Sequence, residues 1–302
     1  MISIVLLALT ISLIPSYRLW TNAQAKDNLS SVQLNRDDSI GKTEILVEME
    51  EESKEEIEIE DDLMQIVQDH FGDDLGKIGF YYEDLATGAV VQFQADQQFR
   101  TASVSKMIVL MALMDRVSAG SADLNDLVVY SPNDFEWGSG VIAYEDLSQP
   151  NLAFDVGTLA EYAVVYSDNI AFNMLWRYLG TEEVYTYFES IIGHETNRGI
   201  LFMSAEDASK LMKLLYVSEG EHYDTLRENL KNTIFPILLE EYLPAGTIAH
   251  KVGFYLDYLH DSGIVYTANG DYVISVFSIG LPNGYESIAE LSLKIYESKI
   301  NP

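Results

Sequence analysis

The chain has 302 residues, 48% of them hydrophobic, a formal net charge of −30 and no cysteine. That length and apolar content provide for a sizeable core, either one large domain with an appendage or two modest domains. The charge argues against nucleic acid or an anionic membrane surface as partner, and the missing cysteines exclude disulfides and thiolate metal sites.

The first segment, Ile2 to Ile14, is an almost unbroken apolar run that ends at Pro15. It is short for a membrane span, which takes about 20 residues, and suits a signal-peptide core. Ala23-Gln24-Ala25 then supplies an A-x-A-like cleavage site. No Lys or Arg precedes the run, and Arg18 and Trp20 lie between it and the cleavage site. Residues 1–25 are therefore expected to export the chain, as a cleaved signal peptide or as an uncleaved N-terminal anchor that tethers it to a membrane. A buried helix is the alternative. From Lys26 to Asp62 there are 14 acidic and 4 basic residues. Such a like-charge block repels itself and stays extended, so residues 26–61 read as a disordered acidic stalk. They lack the glycine and ligand spacing of a calcium loop.

Residues 62–302 read as the folded body. A helix is expected near Asp62–His70, followed by a hairpin of Lys77–Glu83 and Gly88–Gln94 about a turn signal at Asp84 to Gly88. Helical periodicity dominates from Ser103 to Leu243. Strands return at Thr247–Gly253, Ser262–Thr267 and Tyr272–Gly280, and an amphipathic helix closes the chain at Glu286–Ile300. The resulting class is α+β: an antiparallel sheet flanked by the terminal helices in an α/β sandwich, with an all-α subdomain inserted between its strands. A cleft between two such parts is a common place for an active site.

Three short motifs fall at the seams. Ser103-Val104-Ser105-Lys106 opens the run Met107 to Met114, which is apolar on every face and so reads as a buried helix. Lys106 lies one turn from Ser103 on the same face. A lysine there is costly unless it is paired or loses its charge, and desolvation beside a second cation, Lys251, would make it a usable base. Free backbone N–H groups at the helix start can stabilise an oxyanion. Taken alone the motif is weak. Ser103 could simply cap the helix, and a chance copy, Ser39-Ile40-Gly41-Lys42, stands in the acidic stalk. Ser167-Asp168-Asn169 separates two helical patterns, and by itself reads as a helix break in which Asp or Asn caps the next helix. His250-Lys251-Val252-Gly253 lies in an expected edge strand that could pair with a peptide-like substrate. Gly253 admits a close approach. His260 and Asp261, being adjacent on a strand, should point to opposite faces, which counts against a Ser-His-Asp site.

In this order the motifs resemble Ser-x-x-Lys, Ser-Asp-Asn and Lys-Thr-Gly, the signature of class A β-lactamases and penicillin-binding proteins. Gly138-Ser139-Gly140-Val141-Ile142 and the lead-in Phe154 to Leu159 extend the resemblance, which covers nearly the whole body. It implies a β-lactamase-like fold and an acyl-enzyme on Ser103 formed with a β-lactam or a D-Ala-D-Ala-like amide of a cell-wall peptide. In this reading Lys106 is the base, Ser167 relays a proton to the leaving nitrogen, and Lys251 is an electrostatic anchor. Asn169 contacts the substrate amide, Gly253 lets the ligand approach, and Phe254 supplies the second oxyanion N–H. No metal or organic cofactor is implied, and a monomer is expected.

Two departures qualify the resemblance. Val252 stands where the family has a threonine whose hydroxyl helps hold the substrate carboxylate, a bond valine cannot make. The Glu-x-x-Leu-Asn loop that activates the deacylating water has no full counterpart. Glu195, with Asn197, is the nearest candidate, and a plain exposed loop is the alternative. Slow deacylation is the expectation. The competing reading is a catalytically weak module of the same fold that binds or senses cell-wall peptides.

Overall fold

The computed structural model describes residues 62–301; residues 1–61, for which an export segment and an acidic stalk are expected, lie outside the described residues. The described chain begins with helix α1 (residues 62–71) and a 3-10 turn, Gly72–Lys77. Strands β1 (Ile78–Asp84) and β2 (Val90–Phe93) follow as the expected hairpin, with Phe80 opposite Phe93. After a long excursion the chain returns as β7 (Ile248–Tyr255), β8 (Tyr258–Val265) and β9 (Tyr272–Ile279). All pairs are antiparallel and the order is β2-β1-β9-β8-β7, which leaves β7 at an edge. The sheet ends at helix α8 (Gly284–Ile300).

The alternation of side chains along each strand divides the core in two. On one face Leu63, Val67 and Phe71 of α1 and Ile288, Leu291 and Ile295 of α8 pack on Ile78, Phe80, Ile274 and Val276. On the other face Ala249, Ile264, Val273 and Phe277 meet the helical part of the chain. Burial on both sides explains why β8 and β9 carry long buried runs rather than a polar alternation.

The inserted part is built around α2 (Lys106–Ser118), in which every residue from Lys106 to Met114 is buried. Around it lie α3 (Val156–Val165), α4 (Asn169–Leu179), α5 (Thr181–Ile192), α6 (Ala205–Val217) and α7 (Glu221–Lys231). Two small antiparallel ladders also run here: β3 (Phe99–Arg100) with β6 (Phe202–Met203), and β4 (Leu127–Val129) with β5 (Ala153–Asp155). Helical periodicity hides such two- and three-residue strands, so the expected all-helical stretch is not wholly helical. The second returning strand also starts earlier than expected. After Tyr255 the chain reverses through residues 256–257 alone, which pairs Tyr255 with Tyr258 and draws residues 258–261 into the sheet.

Candidate active site

The sharpest bend in the site precedes α4. Ser167 adopts a left-handed backbone, φ +51°, a conformation that costs a non-glycine residue about 1–2 kcal/mol. Its carbonyl accepts from Ser139 Oγ at 2.7 Å, and the next N–H, of Asp168, reaches Tyr162 O at 3.0 Å. The Asp168 carboxylate, 1% exposed, accepts from Ala171 N at 2.9 Å and so caps α4, as the sequence expects of an Asp at a helix break. The same carboxylate accepts the N–H groups of Val141 and Ile142 at 2.6 and 2.8 Å, tying the glycine-bounded loop to the helix start. The glycines follow from this docking. A Cβ on Gly140, whose φ is +126°, would stand 2.3 Å from Asp168, and one on Gly138 would stand 2.6 Å from Asn169 Nδ2.

Ser103 lies in the 3-10 turn Ala102–Ser105 that feeds α2, so its backbone sits at a helix start. Lys106 Nζ donates to Ser103 Oγ at 2.9 Å and to Asn169 Oδ1 at 2.8 Å. The other end of that amide, Asn169 Nδ2, donates to Trp137 O at 3.2 Å. Lys106 is 3% exposed. Burial pulls its ammonium down to about 8, against the opposing pull of Glu136 and Asp168.

Across the cleft, Lys251 Nζ donates to Ser167 Oγ and to Val252 O, both at 3.1 Å. Lys251 is 1% exposed. Its burial, reinforced by the charge of Lys106 and opposed by Asp261, brings it down to about 7. Two desolvated lysines, each on a serine hydroxyl, thus face one another. Strand β7 also presses on the serine turn: a Cβ on Gly253 would meet Val104 N at 3.0 Å and Ser103 N at 3.1 Å.

Of the sequence-derived site residues, Ser103, Lys106, Ser167, Asn169 and Phe254 line one cleft of about 800 Å³, while Lys251 and Gly253 are buried on β7. Glu195 is not brought in: it is exposed, and its carbonyl faces the ring of His194. The loop residues that do reach the cleft are Gly199, Ile200 and Leu201. Val252 packs with the core on the face of β7 opposite Lys251. Among the described residues no group of three or more His, Cys, Asp or Glu side chains is arranged to hold a metal, and no helix is long and apolar enough to cross a membrane.

Three features escaped sequence reasoning. Glu136 lines the cleft, held by Asn173 Nδ2 at 3.1 Å. Arg100 lines it too. Behind Lys251, on the other face of β7, His250 bonds Asp261 at 2.8 Å and Glu240 at 3.0 Å. Burial works against the charged imidazolium, but Asp261 and Glu240 outweigh it and hold the ring up at about 9. His260 and Asp261 do diverge: His260 turns to Arg100 O while Asp261 turns to His250.

Fold and site together define a β-lactamase-like serine-lysine architecture. The Beta-lactamase enzyme family matches residues 60–298 of the chain, and the chain belongs to that family. Beta-lactamase SME-1 of Serratia marcescens is 30% identical over 119 residues. That segment is 39% of each chain, so the match spans well under half of the curated relative's length. The structure of PBP-A is similar over 80% of this chain and 97% of its own, at 26% identity and a TM-score of 0.71. An acyl-enzyme complex of a PBP-A mutant with penicillin G is similar over the same shares, at 26% identity and a TM-score of 0.72.

Proposed function

We propose that the protein is a serine hydrolase that forms an acyl-enzyme on Ser103 with a β-lactam or a D-Ala-D-Ala-like amide and releases it slowly. The observation that carries this reading is the buried Lys106 ammonium on Ser103 Oγ, drawn down to about 8. In its neutral form Lys106 takes the Ser103 proton as Oγ attacks the substrate carbonyl. The oxyanion falls between the N–H groups of Ser103 and Phe254, where β7 abuts the serine turn. Ser167 Oγ passes its proton to the leaving nitrogen and takes one in return from the Lys251 ammonium that donates to it. Asn169 orients Lys106 through its Oδ1 and offers the substrate amide a polar neighbour.

Hydrolysis of the ester needs a base for water; Glu195 stands outside the cleft, and the carboxylate in its lining, Glu136, is engaged by Asn173. A long-lived acyl-enzyme follows, as does behaviour nearer to a penicillin-binding protein than to an efficient β-lactamase. The acyl-enzyme of a PBP-A mutant with penicillin G supports the choice of probe. Intact-mass spectrometry after exposure to benzylpenicillin tests the reading. One penicillin adduct on wild type, persisting for minutes and absent from Ser103→Ala, supports it; no adduct, or one that survives the substitution, overturns it.

The displaced Glu195 favours a second reading, a cell-wall-peptide binding module with little turnover. Peptide affinity unchanged in Ser103→Ala, with no nitrocefin hydrolysis by wild type, selects that reading. We further infer from the apolar run Ile2–Ile14 that the chain is exported, either cleaved or held by an N-terminal anchor, and that it acts as a monomer. Fractionation of expressing cells and light scattering test those two points.

A further inference from the structure

Arg100 has a setting that acylation chemistry does not use. Its guanidinium carbon lies 4.0 Å over the centre of the Tyr255 ring, and both residues line the cleft. In a chain of net charge −30, no carboxylate among the described residues forms an ion pair with it. Other cleft and core cations are engaged: Lys106 and Lys251 on the two serines, Arg177 on Asp134. Among the described residues the Arg100 side chain donates no hydrogen bond to the protein, so its N–H fork is available to bind a carboxylate with two parallel hydrogen bonds.

The backbone beneath this side chain is unusually well fixed. Arg100 pairs with Phe202 in the β3–β6 ladder. Its carbonyl accepts from His260 Nε2 at 2.9 Å. His260 is fully buried, and its Nδ1 accepts the Ser278 N–H at 3.1 Å, so Nε2 carries the proton. The ring stacks on Phe277 at 4.3 Å with 15° between planes. Burial drives His260 down to about 4, so it stays neutral and this donor persists at neutral pH. A buried histidine is thus spent on holding a cleft residue.

Position supplies the last step. Ser103 abuts β7 at Gly253. Lys251 lies two residues back along the strand and Tyr255 two residues on, each about 7 Å away at the rise of a β-strand. The serine therefore stands between two basic poles, Lys251 and Arg100. Lys251 and Ser167 form the pole that serves the leaving nitrogen, so the acyl half of a substrate extends the other way, toward Arg100 and Tyr255. Glu136, the acidic residue in the cleft lining, is held from α4 by Asn173 and faces Lys106.

We infer that Arg100, stacked on Tyr255, is a carboxylate-binding subsite that selects acyl donors bearing a free carboxylate on the acyl side of the scissile bond. The inference rests on the acyl-enzyme reading above and names its substrate class.

Benzylpenicillin and carbenicillin form a matched pair of probes, differing by one carboxylate on the acyl side chain. Their second-order acylation constants are measured by intact mass for wild type, Arg100→Ala and Arg100→Lys. Wild type is expected to prefer carbenicillin. Arg100→Ala is expected to lose about tenfold with carbenicillin, equal to about 1.4 kcal/mol, and less than about twofold with benzylpenicillin, while Arg100→Lys recovers part of the loss. Equal losses with both penicillins, or no wild-type preference, overturn the subsite while leaving the acyl-enzyme reading intact. Absence of any adduct overturns the acyl-enzyme reading instead. The subsite is then judged by NMR titration with phenylmalonic acid monoamide and phenylacetamide. Tighter binding of the carboxylate-bearing amide, lost in Arg100→Ala, supports it, and equal binding of both overturns it.

Discussion

Lys251 Nζ and Ser167 Oγ meet at 3.1 Å although 84 residues separate them in the chain. The contact joins the edge strand of the sheet to the turn before α4, two segments from which Phe254 and Asn169 line the cleft. Each partner is placed at a cost, Lys251 by complete burial and Ser167 by its left-handed backbone. Strain and desolvation gathered at one contact are what an arrangement selected for chemistry rather than stability looks like.

Removing the hydroxyl tests its role as proton relay. Ser167→Ala retains the left-handed strain and the Ser139 bond to the carbonyl but leaves Lys251 with one acceptor fewer. General acid-base steps contribute about 10²–10⁴ in rate. Acylation of Ser103 by benzylpenicillin is expected to fall within that range, with the circular dichroism spectrum unchanged. A loss below about threefold would remove Ser167 from the chemistry.

The pH dependence of acylation follows from Lys106. Only its neutral form accepts the Ser103 proton, and that form accumulates as pH rises through about 8. Stopped-flow acylation rates are therefore expected to climb between neutrality and mild alkali. Glu136 opposes the effect of burial on this lysine. Glu136→Gln removes a negative charge that favours the ammonium, so the neutral amine forms at lower pH and the rising limb moves toward acid. A limb that stays in place shows that the titration belongs to another group.

The glycine at the centre of β7 is a geometric test. The backbone nitrogens that a Cβ on Gly253 would meet at 3.0–3.1 Å belong to the serine turn and cannot swing aside as a side chain would. Gly253→Ala should push the turn and strand apart by a few tenths of an ångström. Because misplacement of about 1 Å can cost 10² in rate, acylation is expected to drop about tenfold or more. The melting temperature should move little. The opposite pattern, a large loss of stability with acylation retained, would mean that this contact serves packing alone.

Much of this site is legible in the sequence because its parts are local. Ser103 and Lys106 share one helical turn, Asp168 caps the helix that Asn169 begins, and the strand Thr247–Gly253 carries its own β pattern. The remainder depends on pairings that no local pattern encodes. His250 finds Asp261 only because β7 and β8 align Lys251 with Ser262 and Val252 with Asp261, which makes the two side chains diagonal neighbours on one face. Arg100 enters the cleft through a two-residue ladder with Phe202, too short to leave a periodic signal. Residue type and spacing point to Glu195. The loop turns Gly199, Ile200 and Leu201 to the cleft instead, and loop direction is not written in residue type.

The buried lysines should make the protein less stable than a disabled variant. The fall of Lys251 from 10.5 to about 7 is worth about 5 kcal/mol against the charged lysine, at 1.36 kcal/mol for each pH unit. Replacing it leaves two acceptors, Ser167 Oγ and Val252 O, without this donor. Each orphaned acceptor costs about 1–3 kcal/mol. Because the Ser167 hydroxyl can rotate to donate elsewhere, the lower end applies to it. Lys251→Met is thus expected to raise stability by about 1–3 kcal/mol at neutral pH while abolishing acylation. For a chain of this size that is about 2–4 °C in melting temperature for each kcal/mol. The sign also fixes the pH dependence. Between about 7 and 10.5 the unfolded chain binds the proton that folded Lys251 has lost, so wild-type stability gains on the variant as pH rises. Differential scanning calorimetry of both proteins across that interval should show the gap narrowing. A gap that widens, or a variant less stable than wild type at neutral pH, would show that the two hydrogen bonds outweigh the desolvation of the lysine.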